Sequence, residues 1–259
     1  MSSQTPKDFL KFLKNPDFID GIYNYCDSWC ERCAFTDKCM NFAMRKYKED
    51  QNGEASIEDS LTEVFQQTTD LIKQIIEDKG MSWEDIVSQA DTETPTIDPH
   101  KEADEHRNVR SAKEYTYLYG SFLKTEQGFM QGKGLEFQND LNKGIISVEE
   151  AEEALSQIED AFEVINWYQS LIYIKIRNAC QLFFEYNLSD FMVDYYNGKA
   201  KLTLISIDRS LAAWLVLQVH FPEKVTKITE ILLQLEKLRQ QIEKDFPNAR
   251  KFVRPGLDK

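Results

Sequence analysis

Histidine is scarce in this chain, with three among 259 residues, which leaves histidine-based catalysis few routes. A di-iron carboxylate bundle needs Glu-x-x-His pairs facing inward from two helices. Neither candidate fits, because Ala103 stands three positions before His106 and Leu217 three before His220. Glycine (10) and proline (7) are also few, and alternating strand patterns are absent apart from a weak one in "KLTLISI". That excludes a turn-rich β fold and favours long helices. No Gly-x-Ser-x-Gly elbow occurs, and nothing signals a nucleophile beside its base. The opening "MSSQTPKDFLKFLKNPDF" has no apolar core of signal-peptide length, so a cytoplasmic location is expected and stable disulfides are not.

The apolar fraction of 42% is that of a globular protein rather than a disordered one. The net charge of -13 is concentrated in residues 51–110, which carry five basic and fifteen acidic side chains. Such a surface repels phosphate backbones, so no nucleic-acid partner is expected. Residues 202–221, "LTLISIDRSLAAWLVLQVHF", have the length of a membrane span. Asp208 and Arg209 inside it would each cost about 2.5–3.5 kcal/mol near a bilayer centre, so a buried helix is expected instead.

Helical periodicity and cap residues predict helices over about 6–14, 16–33, 36–49, 56–79 and 100–130, with a further short one starting at Ser82. Ser147 with Glu150 forms a capping box before a long helix over about 148–187. From Ala161 to Phe184 that helix is apolar on every side, which marks it as central. Core helices over 199–219 and after Pro222 follow, the last with a stripe from Val225 to Ile242 that also suits a homodimer seam. The glycine-containing "QGKGLEFQNDLNKG" reads as a break. It is not a phosphate-binding loop, since Gly134 stands where Ser or Thr should follow the lysine. The expectation is an all-α, mainly antiparallel multi-helix bundle at 100–259. An N-terminal helical subdomain at 1–90 carries the cysteines, and 91–99, "DTETPTIDP", links the two.

Four of the five cysteines fall within fourteen positions, at Cys26, Cys30, Cys33 and Cys39. Crowding of this kind points to a metal centre, and a tetrahedral four-thiolate set suits a closed structural zinc. The same thiolates could hold an iron–sulfur cluster, or the thiols could simply pack in a core. On a continuous helix Cys26, Cys30 and Cys33 would share one face, and "AFTD" at 34–37 would turn the chain so that Cys39 closes the site. The order C-x3-C-x2-C resembles the cluster motif of radical SAM enzymes, but Arg32 before the third cysteine and the missing β/α barrel set that family aside.

Charged residues inside the apolar helices form the second feature: Glu163, Lys175, Asp208 and Arg209. Buried charges must pair or neutralise, so these four are expected to form a network, or to line a polar or carboxylate-metal pocket near Glu163 and Asp208. "YCDSWCERCAFTDKCMNF", with "EDAFEVINWY" and "ISIDRSLAAW", resembles a bacterial family of conserved helical proteins of unknown function. The resemblance implies that the three segments belong to one unit. The functional expectation is a metal-binding module that interacts with a protein partner or regulates one. The alternative is a redox enzyme built on the cluster or the carboxylate pocket.

Overall fold

A computed structural model describes residues 15–51, 98–125, 128–185 and 190–258, together with Thr69 and Lys73. Among these residues every regular element is helical. The helices are α1 (Met40–Gln51), α2 (Pro99–Glu105), α3 (Arg107–Thr125), α4 (Phe129–Asn142), α5 (Val148–Glu185), α6 (Asp190–His220) and α7 (Val225–Asp245). The helices expected at 6–14 and after Ser82, that at 56–79 apart from Thr69 and Lys73, and nearly all of the 91–99 linker lie outside the described residues.

The chain divides into two compact units. One holds Met1–Phe18 and Ala34–Asp98, and the other holds Ile19–Cys33 and Pro99–Lys259. The cysteine-bearing stretch up to Cys33 therefore belongs with the bundle rather than with an N-terminal subdomain. In the first unit, a 3-10 turn at Thr36–Lys38 leads through Cys39 into α1.

The second unit is built around α3, α5, α6 and α7. Pairs along α5 and α6 run in opposite directions: Gln157 meets His220, Tyr168 meets Arg209, and Phe183 meets Tyr196. The same reversal relates α6 to α7, through Gln218–Thr229 and Tyr196–Phe246. It also relates α3 to α5, through Thr116–Gln169 and Tyr119–Asn166. Across the interior, the Trp214 indole of α6 donates to the Tyr115 hydroxyl of α3 at 3.3 Å. Helices α3 and α6 thus lie diagonally in an antiparallel bundle.

Ile158, Ile165, Ile172 and Ile176 of α5 are completely buried. Each such side chain contributes roughly 1.5–3 kcal/mol of transfer free energy. Helices α2, α3, α4 and α6 all pack against α5, whose buried positions follow three- and four-residue spacing, while Ile174 on its other side is 47% exposed. Its start is the expected capping box: the Ser147 N–H donates to Glu150 at 2.8 Å, and the Glu150 N–H donates to the Ser147 hydroxyl at 3.1 Å.

Three expectations are corrected. The stretch 131–144 is helical through Asn142, with Gly132 and Gly134 inside α4, and the break comes at Gly144 in a left-handed conformation (φ 68°). The helix expected over 100–130 bends at His106, between α2 and α3. No helix runs over 16–33, which holds only the 3-10 turns Ile22–Asn24 and Cys30–Arg32. Gly21 (φ 70°) and Ser28 (φ 60°) take left-handed conformations there, which interrupt a right-handed helix. Within α6, Val193–His220 is long and apolar enough to cross a membrane, and half of its most apolar window is buried inside the protein.

Candidate metal-binding segment

The thiols at Cys26, Cys30 and Cys33 sit in turns, not on one helix face. Cys26 follows the first 3-10 turn, and its thiol donates to the Tyr23 carbonyl at 3.6 Å. Cys30 opens the second turn and Cys33 closes it, the Cys33 N–H donating to the Cys30 carbonyl at 3.2 Å. Cys39 closes the turn before α1 and belongs to the other unit. All four are partly exposed, whereas Cys180 is buried, and no disulfide joins any of the five. Among the described residues no three His, Cys, Asp or Glu side chains are gathered as a metal-binding group. The donor set is nonetheless chemically suited to zinc or an iron–sulfur cluster: partly exposed thiols not committed to a disulfide.

What holds this segment is a clasp on α5 and α6. The Asp27 carboxylate accepts from the Tyr168 hydroxyl and the Arg209 guanidinium, each at 2.6 Å. Its backbone carbonyl accepts from the Trp167 indole at 3.0 Å, and its other carboxylate oxygen accepts from the Trp29 N–H at 3.3 Å. Arg209 also reaches the Tyr168 oxygen. Burial pushes the Tyr168 hydroxyl up to about 12, and the Asp27 charge works in the same direction. Trp29 stacks on Trp167 with ring centres 4.9 Å apart, and the Arg32 guanidinium lies 4.2 Å above Trp29. Arg32 in turn bonds Asp160 at 2.6 Å and also Glu163. Part of the cysteine segment and parts of "EDAFEVINWY" and "ISIDRSLAAW" therefore meet at one place.

Beside Cys26, the Lys199 ammonium donates to the Asn24 carbonyl at 2.8 Å and lies over the Tyr25 and Tyr195 rings. Burial and the nearby Lys175 charge push Lys199 down to about 8, with Cys26 opposing.

The four charges expected to be buried together are not. Glu163 and Arg209 are exposed, and Lys175 and Asp208 are partly so. Glu163 answers Arg32, whereas Asp208 is bonded by Arg250 at 2.5 Å and faced by Arg239 at 3.6 Å. Glu163 and Asp208 therefore pair with different partners, Arg32 on one hand and Arg250 and Arg239 on the other. Glu163 and Arg209 are met by the 19–33 segment and Asp208 by α7 and the C-terminal turn, all remote in sequence. Asp27, Trp29, Arg32, Trp167 and Tyr168 were missed as a set. No local signal joins Asp27, Trp29 and Arg32 to Trp167 and Tyr168, because the two groups stand far apart in the chain.

A second constellation lies where α2 meets α3. His106 Nδ1 accepts from the Asn108 N–H at 3.3 Å and faces the Cys180 sulfur at 3.4 Å, while Nε2 stands 3.8 Å from Asp245. Thiol, imidazole and carboxylate in a row resemble a nucleophile with its base. Burial, aided by Asp245, pushes the Cys180 thiol up to about 12, which suppresses the reactive thiolate. His106 Nδ1 caps the first turn of α3 through the Asn108 N–H.

Burial lowers the His106 pKa, Asp245 opposes that and Arg107 adds to it. The unfolded chain then binds the proton first as pH falls through about 6.5, so stability declines below that pH. The urea midpoint is expected to drop between pH 7.5 and 5.5. In His106→Asn, which retains a capping acceptor, the drop should shrink. An identical drop in both proteins would show that His106 is not the group responsible.

Compared with known protein families, curated proteins and solved structures, the chain matches no family model, no curated sequence and no solved structure.

Proposed function

We propose that this chain is a metal-binding module of the cytoplasm, in which Cys26, Cys30, Cys33 and Cys39 hold a structural zinc and the bundle serves interaction with, or regulation of, a protein partner. The observation that carries the reading is the contrast among the cysteines. Thiols that merely fill a core are buried, as Cys180 is, whereas these four are all kept partly exposed. A bound zinc would supply a closed tetrahedral cross-link and no redox chemistry. The residues of this chain would present thiolates, with the Lys199 ammonium bonded to the Asn24 carbonyl two residues before Cys26.

Metal analysis and an absorption spectrum on protein purified without oxygen test the reading. One zinc per chain and no visible colour is the expected result. Brown protein containing iron and sulfide would replace zinc with the cluster alternative, and protein free of metal would overturn both.

A further inference from the structure

We infer that the exposed face of α6 at Ala212, Leu215 and Val219 docks an amphipathic helix of a partner protein, one whose edge toward α5 is cationic. The inference gives the interaction part of the reading above a surface and a partner chemistry, and it rests on that part and not on zinc.

Ala212, Leu215 and Val219 recur at three- and four-residue spacing and so share one face of α6. All three are exposed, Val219 at 76%. From Ser210 to Val219 the helix holds no charged side chain. Its opposite face already fills the core with Trp214 and Leu217, so the apolar face outside is not needed by the fold. On α7, Val225, Thr229 and Leu232 share a face by the same spacing, and the Gln218 amide donates to the Thr229 hydroxyl at 3.0 Å, which sets that face beside α6. Val225 is exposed there and Leu232 half-buried, so the apolar strip widens across two helices. Single exposed apolar residues are ordinary, whereas a strip of them marks a contact surface.

Charge selects the occupant. His220 Nε2 meets the Gln157 amide oxygen at 3.1 Å, and Gln157 donates to Glu153 at 3.2 Å, so the first half of α5 runs beside the end of α6. Residues 148–163 hold seven acidic side chains and no basic one. Arg32 bonds two of them, Asp160 and Glu163. The α7 edge differs, since Glu236 pairs with Arg239 at 2.7 Å. A cation on the partner is therefore rewarded along the α5 edge alone. A second copy of this chain brings the same two edges, one acidic and one paired, and so no cation to answer α5. Residues 51–97, with eleven acidic side chains against two basic, are equally mismatched.

The probe is a synthetic helical peptide with leucines along one face and lysines along one edge of it, set against a counterpart with glutamates for the lysines. Binding to the full chain is read by fluorescence anisotropy. The lysine peptide is expected to bind about tenfold or more tightly than the glutamate peptide, with an affinity that falls as salt is added. Leu215→Asn and Val219→Asn should each weaken it about tenfold. Leu233→Asn, equally exposed but in the groove that α7 shares with α3, should not. Both α6 variants should keep the parent's urea midpoint, and should one lose stability the other carries the test. No binding of the lysine peptide, undiminished binding in the α6 variants, equal loss in Leu233→Asn, or equal binding of the two peptides overturns the inference. A parent that sediments as a dimer and dissociates on Val219→Asn overturns it by giving the face to a second copy. Flotation with phosphatidylcholine vesicles that Leu215→Asn abolishes overturns it by giving the face to lipid. None of these outcomes touches the zinc reading, which metal analysis tests separately, and protein without zinc leaves the docking surface standing.

Discussion

Cys30→Ser is expected to abolish stoichiometric zinc binding and the stability that zinc confers. Serine offers a hard hydroxyl that stays protonated at neutral pH, where cysteine offers a soft thiolate. A ligand that binds only the folded state contributes about 4 kcal/mol when present at a thousandfold excess over its dissociation constant. For a unit of this size that corresponds to a fall in Tm on the order of 10 °C. Cys30 is the informative position because it stands between Asp27 and Arg32, both bonded to the bundle, and is partly exposed, so serine itself creates no buried cavity. Calorimetry of parent and variant, each with zinc and after chelation, separates the metal effect from any other. The parent should lose most of the difference on chelation, and the variant should not respond. A variant as stable as the zinc-loaded parent would sink the structural metal.

The second large effect concerns Gly198→Ala, where the sign of the change is itself the test. Inside an exposed helix this substitution normally stabilises, by about 1 kcal/mol. At position 198 a Cβ would overlap one Tyr25 ring carbon and stand 2.5 Å from another and 3.0 Å from Phe252. The Tyr25 ring cannot retreat easily, because Phe252 and Tyr195 lie against it with ring centres 4.8 and 5.8 Å away. Overpacking of this kind costs about 1–3 kcal/mol, and expelling Tyr25 would also disturb the chain next to Cys26. Gly120→Ala in α3 is the matched control, since a Cβ there meets nothing within 4 Å. Urea unfolding should therefore show Gly198→Ala destabilised by about 2 kcal/mol and Gly120→Ala unchanged or slightly stabilised. Two stabilised variants would mean that Tyr25 does not pack against the α6 backbone.

The long helices were legible because their signals are local. The Ser147–Glu150 box is made within four residues, and the apolar stripe of α7 repeats with the helix itself. Glycine misled over α4, since Gly132 and Gly134 lower helix propensity without forbidding a helix. Helical spacing misled over the cysteines, since a shared face requires a continuous helix, and Gly21 and Ser28 take the left-handed conformation.

By itself, then, the sequence determined that this protein is helical, where its long core helices run, and that four thiols stand close along the chain. Cap bonds, periodicity and chain neighbourhood reach only a few residues, and a sequence displays all three. Only the tertiary structure decided what the charges and the cysteine segment hold on to. Glu163 and Arg209 needed partners on any reading, but those partners, Arg32 and Asp27, lie 131 and 182 residues away. An ion pair forms between whichever side chains the packed helices bring within about 4 Å, and that proximity exists only once the bundle has formed.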